Sequence, residues 1–466
     1  MKFKWLTIII ILLTATFCIN ASFLLTIPTK TEEPTTSTSN YIPASDYTLP
    51  TIHISLEDTD LETIIHNSKD IKYEDNSLSI TVDSNTIDYT NVEIKGRGNS
   101  TWGLPKSPFQ IKFDSKVDLL GLGKAKKWVL LANIFDKSNL RNDIAFYIER
   151  LLDMEYALDG KFVELYIDND YLGLYYLTEK VEIGKERVDV TDDNSVLVEL
   201  ENLHSNIEPC DAITEEQTCL VLKDSYVEAL EQESFNLFLK NFNALEQAAK
   251  AGDFETVKEL ADVDSFAKYY ILSDITVNPD AYASSFYFYQ KNNKIYAGPG
   301  WDFDLALGNR VWVWARTEDF YLPETARIVE KYAFGGTVYD ESTNQYTVLT
   351  PDGTIARFVF WLYQIPEFQD KIKQIYQDYI LNKKDDIISY IKSKVGLIKS
   401  SAICDRKLWR EYDNNTIILG DNATELAPKI LYTNLSVKDA FDAEIENLLD
   451  WVSRRLNFLN SKYDKL

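Results

Sequence analysis

Two aspartates, Asp302 and Asp304, are the residues whose type and spacing point most directly to chemistry. They stand on either side of Phe303 in the segment Gly298–Asn309, after an apolar-aromatic run and a short Lys/Asn turn. This order predicts a β-hairpin that ends in two acidic side chains. Residues i and i+2 of an extended strand share a face, so both carboxylates would point at one spot. Two convergent carboxylates favour a divalent cation such as Mg²⁺ or Mn²⁺. The alternative is a pair of solvated turn acids in a chain with 73 Asp and Glu residues.

A second segment, Lys95–Trp102, has the composition of a loop that covers phosphates. It reads Lys-Gly-Arg-Gly-Asn-Ser-Thr-Trp and lies between the strand-like runs 90–94 and 108–113. Glycines in such a loop let the backbone approach phosphate, and a lysine in the following strand neutralises phosphate charge. An ordinary hairpin turn is the competing interpretation. Together with the downstream Asp-Phe-Asp, the segment indicates a kinase-like site.

Several motifs in the same order make the chain resemble the CotH kinase family, the spore-coat-protein-H-like secreted atypical kinases. The resemblance covers roughly residues 90–310, and the helical C-terminal part also looks similar. The matching segments are Lys95–Trp102, Pro105–Phe113, Lys126–Asn133 with Leu140–Asn142, Val163–Tyr166, Gly173–Val181, Asn278–Asp280 and Trp301–Asn309.

The resemblance implies a diverged protein-kinase fold that phosphorylates protein side chains with ATP and Mg²⁺ or Mn²⁺. Asp280 falls at the family's catalytic aspartate, Asp302 at its metal-binding aspartate, and Asp304 is the second acid of that motif. The implied nucleotide-binding residues are Arg97, Gly98, Ser100, Lys106, Lys112 and Glu179. Of the two lysines, Lys112 is favoured as the phosphate partner because it lies in the strand itself.

One position departs from the family pattern. Members often carry a basic residue just before the Asn of Asn-x-Asp, where this chain has Val277. Such a residue could help neutralise the transferred phosphate, so its loss leaves open a catalytically silent kinase-fold scaffold or a surface binding protein. A further alternative is a carbohydrate-binding module that uses the Trp and Tyr side chains of residues 311–321.

Length and charge limit the class of protein. The 466 residues, 45% of them hydrophobic, suffice for one large or two moderate cores. The net charge of −25 argues against nucleic-acid binding, which needs a positive footprint. A polyanion such as ATP would therefore need a local basic and metal-lined cleft. Basic residues cluster accordingly at Lys95, Arg97, Lys106, Lys112, Lys124, Lys126 and Lys127, although the last three could equally form a solvated lysine-rich face.

Residues 1–27 predict export. Met1–Lys4 is basic, and the uncharged segment Trp5–Ile27 follows it. This pattern is typical of a signal peptide or a retained membrane anchor, and the sequence leaves both open. Residues 28–47, rich in Thr, Pro, Ser and Glu, predict a flexible linker. We expect an extracellular or surface-anchored protein, with a spore-coat or surface protein as its substrate.

The remaining chain predicts an α+β architecture with a two-lobe, kinase-like arrangement. Residues 48–200 form a β-rich N-lobe, and residues 201–466 form a helical C-lobe that carries Asp280 and the Asp302/Asp304 pair. One helix, about Lys137–Leu152, interrupts the β-rich part. It would place Glu149 where a kinase's regulatory helix lies, either as partner of the phosphate lysine or on the wet face.

The cysteines and histidines give no sign of other chemistry. Cys210 and Cys219 could close a short disulfide loop in an oxidising exterior, although pairing of either with Cys404 remains open. The sequence has no Cys/His zinc spacing, and its three histidines are scattered. It also lacks a Gly-x-Ser-x-Gly motif, so hydrolase chemistry has no support.

Overall fold

The computed structural model describes residues 49–202, 209–278, 280–309, 337–340, 345–348, 357–410 and 435–464. The predicted export segment, the 28–47 linker and the aromatic segment 311–321 lie outside these residues. Within the described ranges, no helix is both long enough and apolar enough to cross a membrane.

Seven strands between residues 51 and 179 form a closed barrel. Its strands are β1 Thr51–Ser55, β2 Tyr73–Val82, β3 Asn85–Gly96, β4 Phe109–Asp118, β5 Lys124–Leu131, β6 Gly160–Ile167 and β7 Asp170–Glu179. They follow the order β1-β2-β3-β4-β5-β7-β6, and β1 closes the ring by pairing in parallel with β6. Alternate apolar residues such as Ile52, Ile54 and Ile80 fill the interior, as the two-residue period of a strand requires.

A second, five-stranded sheet lies after the barrel in the chain. Its strands are β8 Val196–Leu200, β9 Ala212–Ile213, β10 Cys219–Ser225, β11 Phe286–Lys291 and β12 Lys294–Ala297, in the order β12-β11-β8-β10-β9. The predicted disulfide between Cys210 and Cys219 is present and closes the turn between β9 and β10. Two short strands, β13 Thr337–Asp340 and β14 Gln345–Val348, form a separate hairpin.

The described helices are α1 Leu61–His66, α2 Arg141–Leu151, α3 Glu231–Ala251, α4 Phe254–Leu260, α5 Val263–Thr276, α6 Phe358–Gln364, α7 Pro366–Tyr379, α8 Lys384–Leu408 and α9 Val437–Asp464. Asp262 begins α5 by accepting a hydrogen bond from the Ser265 backbone N–H at 2.8 Å. In α9, Phe441, Leu448 and Leu456 are buried at helical spacing. One core joins α2, the second sheet and the long helices, and a separate core fills the barrel.

The mixed fold agrees with the α+β prediction, but two features differ from the predicted lobes. A closed barrel is not the N-lobe of a protein kinase, and closure depends on the pairing of β1 with β6, which no local pattern encodes. The second sheet combines β8 with strands that follow residue 200, so it spans the predicted boundary at 200/201. The fold alone therefore does not establish a two-lobe kinase architecture.

Candidate active site

A cavity of about 280 Å³ lies where the barrel, the second sheet and the segment 298–309 meet. Its volume is close to the lower end of the range for small-molecule sites. The loop after β3, the ends of β5 and β7, and residues of β8 and β10 contribute to its wall. Six of the nine predicted site residues line it, namely Arg97, Gly98, Ser100, Asp280, Asp302 and Asp304.

Three aspartates form the acidic side of this cavity. Asp280 lies in the turns between α5 and β11, whereas Asp302 and Asp304 lie in the irregular segment after β12. Asp302 has a φ of 66°, in the left-handed region, so the expectation that an extended strand presents the pair is wrong. Both side chains nevertheless line the same cavity.

Asn278 connects the two acidic segments. Its side-chain amide donates a hydrogen bond to the backbone carbonyl of Asp302 at 3.0 Å. Its Oδ1 accepts one from the backbone N–H of Asp280 at 3.2 Å. A single buried side chain therefore fixes Asp280 and Asp302 relative to each other.

Val277 ends α5 in the left-handed conformation, with a φ of 47°. Such a conformation strains a β-branched residue. The side chain is buried in the core and does not line the cavity. In this chain the side chain at position 277 therefore faces the core and contributes no charge to the cavity wall.

The surroundings of Asp304 make its ionisation unfavourable. Burial raises the pKa of Asp304 well above its usual value, and the charges of Asp302, Asp280 and Asp136 raise it further. A divalent cation would relieve this repulsion. The carboxylates fit Mg²⁺ or Mn²⁺, which take oxygen ligands and complete their shells with water and phosphate. In the described part of the chain no group of three or more His, Cys, Asp or Glu can hold a metal by itself.

Lys95, Arg97 and Lys180 are among the cations that line the same cavity, and the two lysines have only long contacts with carboxylates. Lys95 lies 3.9 Å from the exposed carboxylate of Asp70, and Lys180 lies 3.7 Å from Glu182. Burial lowers the pKa of Lys180 and also that of Arg97. An anion in the cavity would favour the charged forms of these side chains, and both are therefore suited to bind phosphate.

The structure places Lys112 outside the cavity. Lys95, Gln110 and Val129 are cross-strand neighbours on β3, β4 and β5, and all three line the cavity. Lys112 lies two residues beyond Gln110 on β4, roughly 7 Å further along the strand. There it faces Glu93, with its Nζ 3.5 Å from the carboxylate. Lys95 is therefore the strand lysine that the barrel presents to the cavity.

Lys106 is also away from the cavity, because it is a buried structural residue. Its Nζ donates to the backbone carbonyl of Leu174 at 2.7 Å and lies 2.7 Å from Asp405 of α8. The side chain is 2% exposed. A group enclosed in this way is not available to a nucleotide, so the predicted phosphate role does not apply to Lys106.

Glu179 faces away from the cavity, although the next two residues along the chain, Lys180 and Val181, line it. Its carboxylate accepts from the backbone N–H of Asp159 at 2.8 Å and pairs with Arg187 at 2.7 Å. Burial raises the pKa of Glu179 to about 7, and the Arg187 charge opposes that rise. The sequence indicated the right strand end, but successive side chains of a strand point to opposite faces.

A second acidic wall was missed by the sequence analysis. Glu199 and Glu201 of the β8 region both line the cavity. Lys223 lies 2.7 Å from Glu199, and the hydroxyl of Ser284 donates to Glu201 at 2.8 Å. Burial raises the pKa of Glu199. The available signal was the alternation Val-Glu-Leu-Glu at 198–201, which places two acids on one face.

The end of the segment 298–309 is held by its own side chains and by α9. The Asn309 amide donates to the backbone carbonyls of Phe135 at 3.0 Å and Asp304 at 2.6 Å. Gly308 has a φ of 68°, and a Cβ there would lie 2.5 Å from the Trp451 ring. The segment therefore requires glycine at this position.

The family described as CotH kinase protein matches residues 94–459. The chain belongs to the CotH kinase family. The match begins inside β3 and extends into α9, so it includes Arg97 and all three aspartates of this CotH kinase family member. Lys69 and Asp70, which also line the cavity, precede the matched residues. Comparison with curated proteins finds no relative that matches.

Proposed function

We propose that this CotH kinase family member is an exported protein kinase that transfers phosphate from ATP to hydroxyl groups of a protein substrate. One observation carries the proposal. Asp280, Asp302 and Asp304 share a single cavity with Lys95, Arg97 and Lys180. Phosphoryl transfer needs positioning and charge stabilisation more than covalent chemistry, and a cavity with both signs of charge can supply both.

Each side of the cavity has a distinct task in this proposal. The Asp280 carboxylate orients the acceptor hydroxyl and accepts its proton, in a position fixed by Asn278. Asp302 and Asp304 hold Mg²⁺ or Mn²⁺, an ion that neutralises charge on the phosphates when it is bound. Arg97 and the two lysines bind phosphate oxygens.

Gly98 supports this assignment of the loop after β3. Its φ is 86°, and a Cβ at this position would lie 2.2 Å from the Thr101 hydroxyl. Glycine is thus the residue that allows the loop its present course, and it leaves the backbone accessible to phosphate. In this proposal the barrel corresponds to the N-lobe of a kinase. The mainly helical part that follows it corresponds to the C-lobe.

Export and surface location are part of the proposal and rest on residues 1–27. The Cys210–Cys219 disulfide supports them, because such bonds persist in oxidising compartments. A spore-coat or cell-surface protein is the substrate class that fits this location. Cell fractionation with protease shaving would test it, and complete protection of the chain inside intact cells would contradict export.

The activity is tested with the purified full-length protein, labelled ATP, and Mg²⁺ or Mn²⁺. Asp280→Asn and Asp302→Asn should each lower phosphate incorporation by at least about 100-fold, because each removes a carboxylate charge that helps to stabilise the transition state. Asp88→Asn is the matched control, because Asp88 is an exposed aspartate of β3 outside the cavity. Equal incorporation by the two site variants and the control would refute the site assignment.

A catalytically silent scaffold or surface binding protein gives a different result in the same assay. Nucleotide would still raise the melting temperature in the presence of metal, because ligand binding stabilises the folded state. Phosphate would not be transferred to the protein or to added substrates. Mass spectrometry after incubation with ATP distinguishes the two cases and identifies the acceptor residue.

A further inference from the structure

Helix α2 contacts the segment that carries the metal-binding candidates through buried polar side chains. Asn142 Oδ1 accepts a hydrogen bond from the backbone N–H of Phe303 at 2.8 Å. About two helical turns later, Glu149 Oε2 accepts a hydrogen bond from the backbone N–H of Gly300 at 3.3 Å. The two bonds lie on either side of Asp302 in the chain.

A third contact connects the same segment to α9. The Arg141 Nε donates to the backbone carbonyl of Ala306 at 2.9 Å, and its Nη2 donates to Glu444 at 2.8 Å. Arg141 also pairs with Asp136 and is fully buried. Side chains of α2 therefore hold the segment at Gly300, Phe303 and Ala306, every third residue.

The conformation of Asp302 explains why such contacts are needed. Its left-handed φ of 66° is less favourable than a right-handed one for a residue with a side chain, although aspartate tolerates it, so neighbouring contacts help to hold it. Hydrogen bonds to the residues on both sides restrict the backbone rotation that would release it. Asn278 adds a bond to the Asp302 carbonyl itself.

Glu149 contacts this segment, and within the described residues it forms no ion pair. Its side chain is 0% exposed, and Oε1 has no hydrogen-bond partner among the residues that the structure describes. A Cβ on Gly300 would lie 2.5 Å from that Oε1, so helix and segment are in direct contact. Burial raises the pKa of Glu149 well above its usual value, which favours the neutral acid. The sequence-based expectation of a lysine partner is therefore not met in the described part of the chain.

We propose that Glu149 and Asn142 are positioning residues, which hold the Gly300–Phe303 backbone so that Asp302 faces the cavity, and that Glu149 acts through its hydrogen bond rather than through charge. The inference rests on the proposed function, because it assigns the α2 contacts to the metal-binding candidates of that site. The inference makes a specific prediction for substitutions of Glu149. A neutral side chain of the same shape should replace this glutamate.

The test compares Glu149→Gln with Glu149→Leu in the full-length protein. Glutamine keeps a hydrogen-bond acceptor for the Gly300 N–H, whereas leucine keeps bulk but has no acceptor. The two readouts are amide hydrogen exchange over residues 298–305 and the Kd for Mn²⁺ in the presence of a non-hydrolysable ATP analogue. Asn142→Leu, which removes the bond to the Phe303 N–H, is measured alongside.

Asp143→Asn and Asp143→Leu are the matched control pair. Asp143 is a fully buried carboxylate of the same helix, but it bonds to Tyr176 at 2.9 Å and lies 3.5 Å from Lys394. These variants should lower the melting temperature without changing exchange at Gly300 or the Mn²⁺ Kd. They separate a loss of general stability from a loss of positioning.

We expect Glu149→Gln to match the wild type in both readouts. Glu149→Leu and Asn142→Leu should speed exchange at 298–305 and weaken Mn²⁺ binding about 10- to 100-fold, as is typical when a group that orients a metal ligand is lost. Equal weakening by Glu149→Gln and Glu149→Leu would overturn the inference, because charge would then matter. Unchanged exchange in Glu149→Leu would overturn it as well. Failure of the wild type to bind Mn²⁺ would refute the proposed metal site, while the exchange data would still decide whether α2 positions the segment.

Discussion

The Arg97 guanidinium lies 5.0 Å from the centre of the Trp301 ring. The loop after β3 and the segment that carries Asp302 therefore touch directly, across 204 positions of sequence. A cation over an indole face contributes roughly 0.5–2 kcal/mol, depending on its exposure to water. The contact leaves the charge of Arg97 within range of Asp302, whose charge raises the pKa of that guanidinium against the effect of burial.

The first prediction concerns this arginine. Arg97→Gln should weaken ATP affinity about tenfold, because it removes both a phosphate-binding charge and the contact with Trp301. Arg97→Lys should give a smaller loss, since it keeps the charge but not the planar group. Titration calorimetry measures both. Lys124→Gln, the same charge change at an exposed residue outside the cavity, is the control and should leave affinity unchanged.

The second prediction concerns metal binding and pH. Burial and three neighbouring acids raise the pKa of Asp304, so protons compete with the metal at a higher pH than for an ordinary aspartate. Metal affinity should fall as pH falls toward that raised pKa, and binding should displace protons. Calorimetry in buffers of different ionisation enthalpy measures the protons released. Affinity that stays flat with pH, with no proton release, would mean that Asp304 is not a ligand.

The third prediction is that Asp304→Asn stabilises the metal-free protein while it abolishes metal binding. A raised carboxyl pKa means that the folded state holds a proton that the unfolded state has lost. The free energy of unfolding therefore declines as pH rises from the usual aspartate pKa to the raised one. The amide has no such dependence, and we expect Asp304→Asn to raise the free energy of unfolding at neutral pH. Denaturant unfolding at several pH values would show it, and a gain equal to that of Asp88→Asn would contradict the argument.

The fourth prediction separates a structural role of Lys106 from a phosphate-binding role. Lys106→Met should cost about 3–5 kcal/mol of stability, because it leaves Asp405 buried without its cation. The double variant Lys106→Met/Asp405→Leu should recover much of that loss. Nucleotide affinity of the folded double variant should equal that of the wild type. A loss of affinity with intact stability would restore the sequence-based assignment.

The fifth prediction concerns the disulfide. Cys210 and Cys219 are separated by nine positions, and a loop of that length gives about 2–3 kcal/mol in the chain-entropy account. Cys210→Ser/Cys219→Ser should lower stability by about that amount. It should also weaken nucleotide binding slightly, since β10 begins at Cys219 and carries Lys223 of the cavity wall. Thermal unfolding and calorimetry measure the two effects, and Cys404→Ser serves as the control.

The sequence predicted local features of the fold well. The β-hairpin predicted before Gly298 is present as the antiparallel pair β11 and β12, and the strand-like run 90–94 lies within β3. The helix expected from Lys137 begins at Arg141 instead, because Asp136 and Ser138 form side-chain hydrogen bonds that hold the preceding residues in a turn. Features that depend on residues close together in the chain could therefore be predicted from the sequence.

In the candidate site too, residues in local motifs were predicted correctly, whereas roles that depend on tertiary contacts were not. Arg97 and Asp302 belong to motifs whose spacing is visible in the sequence, and both line the cavity. The roles of Lys106 and Lys112 depend on partners that the tertiary fold supplies. Asp405 is almost 300 positions from Lys106, and the register of β3 with β4 decides that Lys95 rather than Lys112 reaches the cavity. Register and long-range pairing are not encoded in any one segment.

Barrel closure has a mechanical consequence. Strand β1 is hydrogen-bonded along one edge to β2 and along the other to β6, with which it runs in parallel. A force directed along β1 would load both rows of hydrogen bonds in shear rather than one bond at a time. If the chain is anchored to the surface through its N-terminal part, as proposed above, the anchor would pull on a strand that is hydrogen-bonded along both edges.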